Sequence, residues 1–333
     1  MRNKRIELFF CWVLMTLFIF STIRAQTRID LSEKIIKSKN YTYNRFDDKG
    51  FGFYDLSDGK YKIFNWNLEI EKSIPITLGE GPSEVKPWIY NVCILKDSIL
   101  MNGYLDRRIN IYDLTGKFIK TFTIDFTPRT ILYHRDKLYI FNAMFFETEG
   151  SPVFARILDP ASLKTIKDIR ITDKKILVKK YEDNDTISRL LFRYDINEKG
   201  NIYLLDIAEC TLFEIDETGK LVKKTRLPHH FKMKTSYARQ GTNVSITLDM
   251  RDMYLELKPV KDSVFFYYQK LISEDIDKGS TFQTYIVKLN SEGKISQKNF
   301  DGELRILGNH QGFLYLFDFS DYQVTKVKLS EWD

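Results

Sequence analysis

The side chains best suited to chemistry in this sequence are oxygen donors that recur in step with short apolar runs. Asp55, Asp206 and Asp318 each close such a run, Asn142 closes a matching one, and Asp106 follows one. Carboxylate and amide oxygens gathered at one mouth suit Ca²⁺ or another divalent cation. Asp and Asn are also ordinary turn and strand-end residues, which gives the same recurrence with no ion involved. Arg107-Arg108 offers paired positive charge for an anionic substrate or a partner's carboxylates. His229-His230 stands in a segment with Tyr237 and Arg239. Neighbouring histidines on one strand face opposite ways, so the pair makes a pH-sensitive or single-contact spot rather than a chelate. Glu80, Glu84 and Glu147 complete the candidate ligand-binding residues. The sequence holds no G-x-S-x-G, H-E-x-x-H or C-x-x-C motif and no phosphate-binding glycine loop. No catalytic residue is therefore assigned.

Short runs of Ile, Val, Leu, Tyr and Phe position these residues, separated by turn-forming residues. Sustained helical periodicity is absent from residue 26 onward, so the chain reads as all-β. The clearest unit runs from Tyr90 to Ile124: YNVCIL, SILMNGY, RINIYDL and KFIKTFTI, joined by three tight turns. A second copy spans Leu191 to Leu227. Gly116 and Gly219 occupy the same point in both, before the last strand, where a hairpin needs positive φ. Further copies span Tyr41–Ile76, Arg129–Ile171 and Met253–Phe300. The last, Leu304–Leu329, has only three strands. Six repeats predict a six-bladed β-propeller with four-stranded antiparallel blades. The stretch near residues 27–36 is the spare strand expected to complete the last blade from outside, which removes an open edge.

The four-strand unit, with its I-Y-D-x-x-G-K-x-x-K stretch, resembles NHL-type and TolB-like repeats. Asp106-Arg107-Arg108-Ile109 approaches the D-x-x-N-x-R-I stretch of the former. Gly79-Glu80-Gly81-Pro82-Ser83-Glu84 resembles the G-x-G-P-x-E signature of a bacterial exported six-bladed propeller family. This resemblance implies the fold. It leaves open a lactonase-like hydrolase or lyase with a metal in the channel, as found among six-bladed propellers.

Residues 1–25 read as a signal peptide: basic Arg2, Lys4 and Arg5, an apolar run Leu8–Ile23, and cleavage after Ala25. A run of about 16 apolar residues also lies near the lower limit for a retained anchor. Residues 26–333 form the propeller. Setting the leader aside removes four basic residues and Glu7 from totals of 51 and 45, which leaves 47 against 44. Charge so balanced excludes the basic stripe that nucleic-acid binding requires. Cleavage leaves no membrane span and an exported protein, in the periplasm or at the cell surface, expected to be a monomer. Cys11 lies within the apolar run and lacks a lipoprotein context. Cys93 and Cys210 fall in different units and read as buried thiols without a disulfide.

Loop length gives the chain a working side. The turns between first and second strands, and between third and fourth, are short. The long segments Leu78–Ile89, Phe145–Pro152, Thr172–Leu190, Pro228–Asp252 and Lys270–Thr281 all belong to the opposite face. Insertions in repeat architectures collect on the binding face. This places a protein, peptide or glycan ligand over the channel there, with His134 and His310 in solvent on the other face.

Overall fold

Strand character in this chain changes with depth. Second strands such as SILMNG and KLYIFN are apolar almost throughout, because both of their faces are covered. Fourth strands such as FIKTFT, TIKDIR and LVKKTR carry Lys, Arg and Thr among their apolar residues and are largely exposed. The computed structural model describes residues 27–30, 43–45, 50–87, 89–103, 106–142, 153–171, 192–207, 209–228, 233–240, 243–250, 252–275, 279–300, 304–318 and 322–332. Residues 1–25, read above as a signal peptide, Glu147 and His229-His230 lie outside these residues.

The strands form six antiparallel four-stranded sheets. Blade one is β2 (Tyr43–Arg45), β3 (Phe51–Asp55), β4 (Lys60–Phe64) and β5 (Ile70–Pro75). Blade two is β6 (Ile89–Ile94), β7 (Ser98–Gly103), β8 (Arg108–Asp113) and β9 (Phe118–Thr123). Blade three is β10 (Pro128–His134), β11 (Lys137–Asn142), β12 (Val153–Leu158) and β13 (Thr165–Arg170). Blade four is β14 (Phe192–Ile196), β15 (Ile202–Asp206), β16 (Thr211–Ile215) and β17 (Leu221–Arg226). A separate hairpin, β18 (Met233–Gln240) with β19 (Asn243–Met250), precedes blade five. Blade five is β20 (Asp252–Val260), β21 (Ser263–Asp275), β22 (Gly279–Leu289) and β23 (Ile295–Phe300).

Blade six joins the two ends of the described chain. Its strands β24 (Leu304–His310), β25 (Phe313–Asp318) and β26 (Gln323–Lys328) are completed by β1 (Thr27–Asp30). Thr27 pairs with Lys326, Arg28 with Thr325, Ile29 with Val324 and Asp30 with Gln323. The expected outer strand is therefore present. The first strands β2, β6, β10, β14, β20 and β24 each contact the next around the ring and frame the channel.

The core lies between blades. Phe53 of blade one meets Phe317 of blade six at 4.9 Å between centroids, and Phe141 stacks on Tyr194 across blades three and four at 4.9 Å. Such pairs add about 0.5–1.5 kcal/mol beyond their burial. Cys93 and Cys210 sit in separate clusters and form no disulfide with each other.

In blades two and four the turn before the fourth strand also serves blade packing. Asp113 Oδ1 accepts the N–H groups of Thr115 at 2.8 Å and Lys117 at 3.0 Å, and Asp216 repeats this with Thr218 and Lys220. Gly116 and Gly219 hold φ of 91° and 84°. A Cβ on either would lie within 2.4 Å of the Pro75 carbonyl oxygen or 2.0 Å of that of Arg170, each in the preceding blade. The glycines are thus fixed twice, by conformation and by contact.

Two segments read as loops are partly strand. The stretch 228–252 contains β18 and β19. The stretch 270–281 is the far end of β21 and β22, which continue as a two-stranded ribbon beyond the last pairing of β20, at Asp252–Lys270. Alternation in both is too polar to read as a buried strand.

Deleting Thr27–Asp30 strips blade six of its outer strand and exposes the β26 edge. The shortened protein is expected to melt about 5 °C or more below the full propeller and to self-associate with rising concentration, as read by calorimetry and light scattering.

Candidate binding site

Antiparallel order sends second-strand ends and blade-to-blade links to one side of the ring, called here the link face. The first-to-second and third-to-fourth turns go to the other, the turn face. Turn-face connections are two to six residues long. The strand order assigns to the link face the connections 76–88, 143–152 and 171–191, of which 143–152 and 172–191 lie outside the described residues, with the β18–β19 hairpin and the β21–β22 ribbon.

The recurrent oxygen donors occupy one register: β3, β11, β15 and β25 end on Asp55, Asn142, Asp206 and Asp318. All four are buried. Three have visible work in closing their own hairpins. Asp55 accepts from the Ser57 N–H at 2.9 Å and from the Lys62 ammonium at 2.5 Å. Burial opposes its ionisation, but the bonds from Lys62 and Ser57 outweigh burial and hold its carboxyl below the ordinary range. Asp206 caps the Glu209 N–H at 3.1 Å, and Asn142 donates to the Val153 carbonyl at 2.9 Å. Asp106 binds the Arg108 guanidinium at 2.9 Å. Among the described residues, no three His, Cys, Asp or Glu side chains gather as metal ligands. The recurrence thus follows hairpin architecture.

Glu84 likewise serves the chain. Its Oε2 accepts the Gly81 N–H at 2.8 Å, and its carbonyl accepts from Asn110 at 2.6 Å. The Ser83 carbonyl accepts from the Tyr112 hydroxyl at 2.9 Å. A Cβ on Gly79 would fall 2.0 Å from the Glu84 carboxylate and would push it off its bond to Gly81. The G-x-G-P-x-E stretch is therefore a clip that fastens the link to blade two. Glu80 and Arg107 are exposed. Tyr237 and Arg239 lie on β18, paired with Ile246 and Val244.

Sequence reasoning missed the residues that line the channel. On the link side, Arg129 and Arg193 both donate to the Phe192 carbonyl, at 3.4 Å and 3.0 Å. Burial, and then the charge of Arg193, push the Arg129 guanidinium down to about 9. Midway, Glu256 of β20 is enclosed and accepts the Ile306 N–H of blade six at 3.0 Å. Burial pushes its carboxyl up to about 7, against the pull of Arg305 and of that hydrogen bond.

On the turn side the first strands enclose a cavity of about 430 Å³. Its walls include His134, Asp195, Lys258 and Asn309, one each from blades three, four, five and six. The Lys258 ammonium lies 3.6 Å from Asp195 Oδ2. His134 is not in open solvent as expected: it is half-buried, and burial followed by the charge of Arg135 holds its imidazole below 6.5. His310 stacks on Trp66 with centroids 5.7 Å apart. The missed signal was positional. Each cavity residue falls in the last three positions of a first strand, before a tight turn.

No protein-family model and no curated protein matches the sequence. Solved structures do. A member of the DUF4221 family from Bacteroides vulgatus superposes with a TM-score of 0.60 at 14% identity, over 92% of this chain and 96% of that one. A Bacteroides fragilis protein described as exported gives 0.50 at 12% identity, over 87% of this chain and 83% of the other. The chain shares its fold with bacterial propellers. Identities this low speak to the fold alone.

Glu256 gives a pH prediction. A carboxyl raised in the folded state favours folding below its unfolded value near 4.5, and that contribution is lost as pH rises through about 7. Glu256→Gln keeps an acceptor for Ile306 and cannot ionise. It should melt several degrees above the parent at pH 8 and close to it at pH 5, in calorimetric scans at the two pH values.

Proposed function

We propose that this chain is an exported binding module that takes a protein, peptide or glycan on its link face, over the channel. The observation that carries this reading is the asymmetry of the connections. Turns of two to six residues on one face would suffice for a scaffold, yet the other face bears three connections of ten residues or more and two β-ribbons. Long connections are poorly explained by folding needs alone. Ile272, on the ribbon, is 55% exposed, and an aliphatic side chain held out on a strand suits contact with a partner. The channel mouth on this side adds the Arg129–Arg193 pair. The apolar run at residues 8–23 and the exported Bacteroides fragilis protein of the same fold support export. Asp55, Asp106 and Asp206 have structural work, so a metal-dependent hydrolase gains no support from them.

The test is a screen of the purified propeller against glycan and peptide arrays. It is run beside a variant whose 271–283 ribbon is cut to a two-residue turn and a turn-face variant, Lys96→Ala with Asp97→Ala. Binding should fall at least tenfold in the ribbon variant and persist in the turn-face variant. Binding that survives ribbon removal and disappears in the turn-face variant would reverse the assignment.

A further inference from the structure

We propose that the turn-side cavity of the channel is a second ligand site, separate from the link face, and that its ligand is a small carboxylate. The cavity is built by five blades, so closure of the ring forms it and no single hairpin does. At about 430 Å³ it exceeds the share of roughly a dozen liquid waters, room enough for a compact organic acid. Val92, Ile131, Ile196 and Pro259 supply apolar wall for a carbon skeleton.

The polar wall is richer in donors than in acceptors. Lys258 carries three N–H donors. Its separation of 3.6 Å from Asp195 Oδ2 is longer than a direct hydrogen bond, which leaves those donors able to serve a ligand oxygen. Asp195 turns its other oxygen to the Ile196 N–H at 2.9 Å. His134 Nε2 is buried and has no hydrogen-bond partner among the described residues. A buried nitrogen without a partner is costly, and a small turn of the half-buried ring would bring it to a ligand oxygen. Asn309 adds an amide, and Arg135 adds an exposed positive charge at the rim. Glu198, also exposed at the rim, is the opposing charge. Two oxygens on one carbon can meet the Lys258 ammonium and the His134 imidazole, which stand on either side of β14, better than a lone hydroxyl can.

The site should also respond to pH. Four charged groups act on His134: Arg135 and Lys258 disfavour its protonation, while Asp195 and Glu217 favour it. A bound carboxylate adds to the second set. Binding therefore takes up a proton, and affinity rises as pH falls through the imidazole range.

Titration calorimetry of the intact propeller with malate, citrate and galacturonate, at fixed ionic strength and at pH 5.5 and 8, tests this. Galactose serves as the neutral control. At least one acid should bind, at least tenfold tighter at pH 5.5 than at pH 8, while galactose does not. His134→Gln should remove most of the pH dependence and Lys258→Gln should weaken binding at least tenfold. Lys258→Gln leaves Asp195 buried, so circular dichroism must first show it folded. Arg135→Ala, at the exposed rim, is the fallback and should weaken binding about threefold. No binding by any acid at pH 5.5, equal binding of galactose and galacturonate, or binding unchanged in His134→Gln and Arg135→Ala would overturn the proposal. Because the link-face ribbon is intact throughout, failure here leaves the array result untouched.

Discussion

The pairing of Thr27–Asp30 with Gln323–Lys328 is the constraint on which the rest of the structure depends. A propeller blade buries its faces only against its two neighbours, so an open ring would leave two blade faces wet. Here the ring shuts with backbone hydrogen bonds between segments about 300 residues apart in sequence. The same closure brings Phe317 of blade six onto Phe53 of blade one. It also defines the channel, because the first strands of all six blades contact one another in a circle. Two mouths follow from that circle, and antiparallel order decides which connections surround each.

Within this frame, polar residues divide by strand. Those at the ends of second strands are used by the chain itself: Asp55, Asn142 and Asp206 close hairpins, and Glu84 clips a link to blade two. Those on first strands face the channel region. Arg129, Glu256, Lys258 and His134 are held there by rigid neighbours, and burial shifts three of them away from their ordinary protonation behaviour, while the ammonium of Lys258 lies beside Asp195. Chemistry in this molecule is therefore expected from first strands and long links, not from the recurrent acids.

The sequence made the architecture readable for a physical reason. Second strands such as SILMNG and FLYLFD are buried on both faces and stand out as apolar runs, while Asp-x-x-Gly-Lys turns mark the fourth strands of blades two and four. Even the missing strand of blade six was visible as an incomplete repeat. The site was not readable in the same way. Periodicity cannot say whether an aspartate at a strand end faces a channel or its own turn, and repetition made Asp206 and Asp318 conspicuous for architectural reasons. His134, Asp195, Lys258 and Asn309 differ in type from blade to blade, so no repeat betrays them; only the closed ring brings them together. The ribbon segments read as loops because their sequences are too polar for a buried strand.

The most direct measurement of the central claim is a cross-link across the closure. Arg28 and Thr325 are register partners. With Arg28→Cys and Thr325→Cys introduced together, mild oxidation of dilute protein should give an intramolecular disulfide, seen by peptide mass spectrometry, in a monomer that melts above its reduced form. A bond that forms only between molecules, or one that forms no faster than in a control pairing Arg28→Cys with a cysteine on another blade, would contradict a ring closed by its own first strand.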